Sequence, residues 1–321
     1  MPRRYFQLSP SLRADGSIVV GYVADGRGYD ALELACFFAR GTASKIIIVM
    51  VLPESRFARE PGVTGASGQV GASALNQAQL KRWRDDALAR VPKELTAEVE
   101  FRYGANDARG LLDAAEDHDA STIVVGAAAG RFLRSFSVGT TANTLLHSSP
   151  VPVALAPRDF RAPVGPVERI TGIYGTRPGS EAVIGRTVQR AIERDIPLRL
   201  ISLVQVDLIR PSEIREVSDE ARDFGGRHLE AAAVGMLESG RAVIEIAEGR
   251  DFEDALAQVD WLDNEFAILG SSRLGGGRSV FLGSRAHRIL RTLKVPVVII
   301  PSDFKGPEYE EAPTRIIPVV G

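Results

Sequence analysis

Apolar residues along the chain fall into short runs rich in Val and Ile, and longer stretches with helical spacing lie between them. The runs at 17–23 (SIVVGYV), 45–52 (KIIIVMVL), 97–103 (AEVEFRY), 121–126 (STIVVG) and 151–157 (VPVALAP) predict five strands. Helices are predicted between them, around 29–41, 73–90, 106–118 and 138–148. The same alternation then starts again. Strands are predicted at 168–174, 197–204, 241–247, 265–270 and 295–301, with helices around 178–194, 212–238, 251–259 and 282–293. Runs without polar alternation mark strands covered on both faces, as in a parallel sheet wound by right-handed crossovers. The predicted class is α/β, with two tandem Rossmann-like domains, each a five-stranded parallel sheet with helices on both faces.

The repetition is visible residue by residue. Shifted by 144 positions, GTTANTLLHSSPVPVALAPRDF (139–160) lies over GSRAHRILRTLKVPVVIIPSDF (283–304) with nine identities in twenty-two. The pattern divides the chain into an N-terminal extension (1–15), a first domain (16–160), a linker (161–167), a second domain (168–304) and a C-terminal tail (305–321). Prolines and a glycine in RDFRAPVGP set the join, and its shortness predicts that the domains pack together. The stretch PGVTGASGQVGAS (61–73) has no periodicity and is predicted to be a mobile loop. The final strands, VPVALAP and VPVVIIP, are apolar sheet edges that invite partners.

Composition narrows the function classes. The chain has 321 residues, enough for two cores, with 39 Lys and Arg against 41 Asp and Glu. Such a balance offers no electrostatic footprint for nucleic acid. No segment reaches the ~18 consecutive apolar residues of a membrane span, so neither membrane association nor export is indicated and a cytoplasmic location is expected. Cys36, the single cysteine, sits in LELACFFAR, where helical spacing turns it toward a core. His118, His147, His228 and His287 have no spacing suited to a metal and are expected at the surface.

Candidate chemistry concentrates beyond the carboxyl ends of the strands, where ligands bind in open parallel sheets. The loop GAAAGRFLRSFSVGT (126–140) leaves the fourth strand there, and Gly139 and Thr140 open the next helix. A helix start favours an anion, and Thr140 adds a hydroxyl as donor or as N-cap. The second domain repeats this with Gly270, Gly283 and Ser284. Arg131, Arg134, Arg273 and Arg278 line these loops, as an electropositive rim or as solvated side chains.

On these residues the whole chain, from about 16 to 304, resembles a tandem universal stress protein (UspA-like). Nucleotide-binding members of that family carry G-x-x-G-x9-G-[ST] between the fourth strand and the following helix. Gly126, Gly139 and Thr140 fall on three motif positions, as do Gly270, Gly283 and Ser284. The resemblance implies a stress-response protein that binds an adenine nucleotide, ATP, in at least one domain and acts through a protein partner. It also implies pairing of the last strands across a pseudo-two-fold axis, an intramolecular pseudo-dimer, with a homodimer of the whole chain as a further step.

Departures from the motif support a second reading, an interaction scaffold with degenerate sites. The second motif glycine is replaced by Ala129, with Gly130 adjacent, and by Arg273 in the other copy. A guanidinium at 273 either narrows the approach to phosphate or supplies phosphate contacts itself. The acidic residue that the family uses after the first strand falls on Val23, with Asp25 two residues later. Tyr174 is expected at the corresponding point of the second domain, to stack on a base or to close the strand over apolar neighbours. Asp25 is read as a turn residue or a ribose partner.

The sequence GRG at 26–28 is no dinucleotide fingerprint, because Ala31 stands where its third glycine belongs. Neither G-x-S-x-G nor a Walker lysine pattern is present, so a non-catalytic protein is expected, with at most slow ATP hydrolysis.

Overall fold

The computed structural model describes residues 16–53, 69–127, 139–177, 179–270 and 284–300. The first repeat runs β1 (Ile18–Gly21), α1 (Gly26–Ala39), β2 (Ile46–Pro53), α2 (Gln69–Ala89), β3 (Ala97–Gly104), α3 (Asp107–Asp117), β4 (Thr122–Gly126), α4 (Thr140–Ser148) and β5 (Val153–Ala156). The second runs β6 (Arg169–Tyr174), α5 (Ser180–Arg194), β7 (Leu198–Gln205), α6 (Ile214–Glu238), β8 (Ala242–Gly249), α7 (Phe252–Ala257), β9 (Glu265–Gly270), α8 (Ser284–Thr292) and β10 (Val297–Ile300).

Within each repeat the strands are parallel, in the order β3-β2-β1-β4-β5 and its counterpart β8-β7-β6-β9-β10. The two last strands then pair antiparallel, Val298 opposite Ala154, and fuse the halves into one ten-stranded sheet. This is the edge pairing expected of the two apolar final strands, which satisfies the backbone groups of both edges at once.

Period-two alternation sends side chains to two cores. Val20, Ile46 and Ile48 face one layer, closed by α1, α2, α5 and α6. Val19, Ile47 and Val49 face the other, closed by α3, α4, α7 and α8. Cys36 lies free in the first core, and burial pushes its thiol up to about 12. The linker is tied to both halves. Arg161 Nη1 lies 3.2 Å from Asp30 Oδ1, and Asn264 Nδ2 donates to the Val164 carbonyl at 3.1 Å.

At the amino-terminal ends of β6, β7 and β9, the fully buried Glu265 gathers a polar network. Its carboxylate accepts from Arg169 Nη2 (2.6 Å), Arg199 Nη2 (3.1 Å), the Leu262 amide (3.0 Å) and, in a short bond, Thr171 Oγ1. Arg199 also reaches Glu245 at 3.1 Å and lies over the Trp261 ring.

Two expectations are corrected. Helix α2 starts at Gln69, so residues 69–73 of the supposed loop are helical. Gln, Ala and Ser sustain a helix without showing apolar periodicity, and the ~1 kcal/mol cost of Gly71 is absorbed over 21 residues. Three histidines are half-buried rather than superficial. His118 Nε2 lies 2.9 Å from Glu100 Oε2, and the His228 ring packs tilted against Phe224 with centroids 4.3 Å apart. Among the described residues no cluster of His, Cys, Asp and Glu suits a metal, and no helix is long and apolar enough to cross a membrane.

Candidate functional site

In the first repeat the order β2-β1-β4-β5 reverses direction between β1 and β4, which opens a crevice beyond their carboxyl ends. Three segments border it: the turn from β1 into α1, the end of β4, and the starts of α3 and α4.

The β1 turn is held by Asp25. Its backbone is extended, and its side chain accepts from the Arg27 and Gly28 amides at 2.9 and 3.3 Å, which makes it the N-cap of α1. The same carboxylate pairs with Arg27 Nη2 at 2.7 Å. Partial burial pushes the Asp25 carboxyl up, but the Arg27 guanidinium and the two amide donors outweigh it and hold it below the ordinary aspartate range. Arg27 is raised in turn, chiefly by its hydrogen bond to Asp25 and further by the charge of Asp107 across the crevice.

Gly28 and Gly126 are required by close approach. A Cβ on Gly28 would overlap the Val23 carbonyl, and one on Gly126 would overlap the Arg27 carbonyl. The end of β4 is therefore pressed against the first turn of α1 with no room for a side chain. Val23 stands half-exposed at the mouth.

Helix α4 has Gly139 as its N-cap, with φ −72° and ψ 172°. Thr140 is the first helical residue, so it does not serve as the cap, contrary to one of the two roles expected of it. Glycine offers no side-chain acceptor to the amides of the first turn, and a bound anion can take that place. Thr141 Oγ1 donates to Asp107 Oδ2 at 3.3 Å, which ties the start of α4 to the start of α3. Asn106 caps α3 by accepting from the Arg109 amide at 2.9 Å.

The second repeat has the same frame, with Gly270 ending β9 and α8 opening at Ser284. Ala129, Gly130, Arg131, Arg134, Arg273, Arg278 and Gly283 lie outside the described residues.

Register corrects the expected equivalence of Val23 and Tyr174. Ile18 pairs with Thr122 and Ile46, and Ile170 pairs with Phe266 and Leu198. The first two strands of the repeats are thus offset by 152 residues, which sets Tyr174 over Tyr22 and Gly175 over Val23. Both tyrosines are buried. Tyr22 donates to Asp86 Oδ2 on α2 at 2.9 Å, and Tyr174 donates to the Ala221 carbonyl on α6 at 2.8 Å while stacking on Phe224. Burial, slightly relieved by Arg222, pushes Tyr174 up to about 12. Tyr174 therefore closes its strand over the core, which is one of the two roles expected of it. Arg27 and Asp107 were missed at the sequence level, because nothing in periodicity shows that separate turns converge on one mouth.

Fold and crevice define a class: tandem doubly wound α/β domains joined through their last strands, each with its strand order reversing at a switch point. The family model described as the universal stress protein family matches residues 16–157 and 167–301. The chain belongs to the universal stress protein family, with two copies of the domain. It is 31% identical over 301 residues to universal stress protein Rv2319c of Mycobacterium tuberculosis, covering 89% of this chain and 99% of the relative. The same figures hold for universal stress protein Mb2346c of Mycobacterium bovis. Among solved structures, a universal stress protein from Archaeoglobus fulgidus superposes with a TM-score of 0.59 at 17% identity, covering 90% of this chain and 99% of that one. A functionally unknown protein from Pseudomonas aeruginosa gives 0.52 at 17% identity, covering 91% and 95%. These two share the fold.

Proposed function

We propose that the protein binds an adenine nucleotide, ATP, in the crevice of at least one repeat, and that occupancy biases its contacts with a protein partner. The observation that carries this is the start of α4. Its N-cap is a glycine with no side-chain acceptor, placed at the switch point of the sheet beside the bare backbone of Gly126. Phosphate oxygens suit such a helix start, because the amides and the helix dipole both favour negative charge. The exposed guanidinium of Arg27, paired with Asp25 and felt by the charge of Asp107, is a cation beside the crevice able to turn to a phosphate.

Calorimetric titration of the full chain with ATP tests the reading. Saturable heat is expected, reduced at least ~10-fold in affinity by Gly139→Val if the first repeat is the site and by Gly283→Val if the second is. The backbone of residue 139 is one that valine adopts without strain, and circular dichroism of the first variant checks that its fold is kept.

A second reading has its own observation. Asp25 is spent on capping α1 and pairing with Arg27, and the Tyr174 hydroxyl is spent on Ala221, so candidate base-reading groups are already engaged. On that reading the protein is a scaffold acting through its surfaces, and the titration shows no heat with ATP.

A further inference from the structure

The ten-stranded sheet ends on β3 at one side and on β8 at the other. The seam between β5 and β10 closes the inner edges of both repeats, so among the described strands these two are left open to another chain. They are unlike. β3 carries Glu98, Glu100 and Arg102 at alternate positions, held by Lys45, His118 and Asp117 respectively. Charges of this kind guard an edge against pairing.

β8 has no such guard. It reads AVIEIAEG, without lysine or proline, and its two carboxylates are turned to their own repeat. Glu245 accepts from Arg199 Nη1 at 3.1 Å, and Glu248 accepts from Ser218 Oγ at 2.6 Å. Val243 is 51% exposed. Val234 and Leu237 add exposed apolar surface at the same end of the strand, where the Arg241 amide donates to the Met236 carbonyl at 2.8 Å and fixes the end of α6 at the start of β8.

The backbone shows which residues can pair. Leu198 donates to the Arg241 carbonyl at 2.9 Å, and a parallel ladder repeats every two residues, so the odd-numbered residues of β8 turn their polar groups toward β7. Even-numbered residues turn theirs outward. The Glu248 carbonyl is taken by Gln258 Nε2 at 2.9 Å, which leaves Ala242, Ile244 and Ile246 as the open stretch. That stretch is centred on Ile244.

We propose that the β8 edge is an association surface for a second copy of this chain, paired antiparallel about a two-fold axis at Ile244 so that one sheet runs through both copies. This register sets Ile244 against itself, Ala242 opposite Ile246, and the exposed Val243 opposite Glu245 of the second copy. An axis at Glu245 would instead set two carboxylates face to face. Helix α6 packs on both β7 and β8, so pairing brings the two α6 helices about two strand spacings apart, roughly 10 Å, which is a helix packing distance.

Sedimentation equilibrium of the full chain tests the surface, with a concentration-dependent dimer as the expected result. Val243→Glu places a second carboxylate against Glu245 and is expected to weaken the dimer at least ~10-fold. Val243→Lys places an ammonium there and is expected to retain it. Both substitutions fall on a half-exposed side chain, and circular dichroism of each variant checks the fold. A monomer up to about 100 μM overturns the proposal, as does a dimer that Val243→Glu leaves intact. Loss of the dimer in both variants overturns the register about Ile244. Hydrogen exchange gives a measurement on the unaltered protein: the amides of Ile244 and Ile246 are expected to exchange more slowly as concentration rises, and rates that do not change across the monomer–dimer range overturn the edge pairing.

Discussion

Gly126 shows how one position serves packing and chemistry together. Its Cα lies so close to the Arg27 carbonyl that even the added methyl of alanine requires β4 and α1 to part. Gly126→Ala is therefore expected to destabilise the protein by about 1–3 kcal/mol in the absence of any nucleotide, measured by urea denaturation. Asp25 invites a finer test. Asp25→Ala removes the α1 cap and is expected to cost about 1 kcal/mol, whereas Asp25→Asn keeps the capping oxygen and costs less. The folded carboxyl titrates below its unfolded value, so its contribution is complete above about pH 4 and is lost as pH falls through the folded value. The stability of Asp25→Asn should accordingly fall less steeply with acid than that of the unaltered protein. Glycine and aspartate were legible as candidates, but the reason for each was not. Sequence spacing placed Gly126 at a strand end, while the overlap with Arg27 depends on two segments a hundred residues apart. The equivalence of Tyr174 was misread by one residue because the repeats differ in length before the fourth strand, and only hydrogen-bond register reveals where that difference lies.

At the scale of elements, all ten strands and eight helices sit where apolar runs and helical spacing put them. Long apolar runs such as IIIVMVL announce themselves, because a strand buried on both faces must be apolar throughout. The start of α2 did not, since residues 69–73 carry small and polar residues that fit a helix as readily as a loop. Nor did the network around Glu265, whose partners come from β6, β7 and the turn before β9. Glu265→Ala would leave Arg169 and Arg199 without their buried counter-charge, and a loss of about 3–5 kcal/mol is expected in urea denaturation. For comparison, Arg210→Ala, which removes an exposed pair with Glu213 at 3.6 Å, should change stability by less than about 0.5 kcal/mol. Equal losses in the two variants would show that the network adds nothing beyond a surface ion pair.

For the whole molecule, the seam between β5 and β10 is the element on which coupling depends. Val297 lies in it, buried in the second core and opposite Leu155. A carboxylate among those apolar side chains is costly, so Val297→Asp is expected to separate the repeats energetically. Scanning calorimetry should then resolve two transitions, against one expected for the unaltered chain. A single transition that merely moves down in temperature would mean that the linker contacts of Arg161 and Asn264 suffice to keep the halves cooperative.

The antiparallel sense of that seam has one more consequence. Strands β4 and β9 run parallel to β5 and β10 respectively, so their carboxyl ends point in opposite directions along one sheet. The two crevices therefore open on opposite rims of the molecule. A partner docked over one rim would leave the other uncovered, as on a door with a lock on each side.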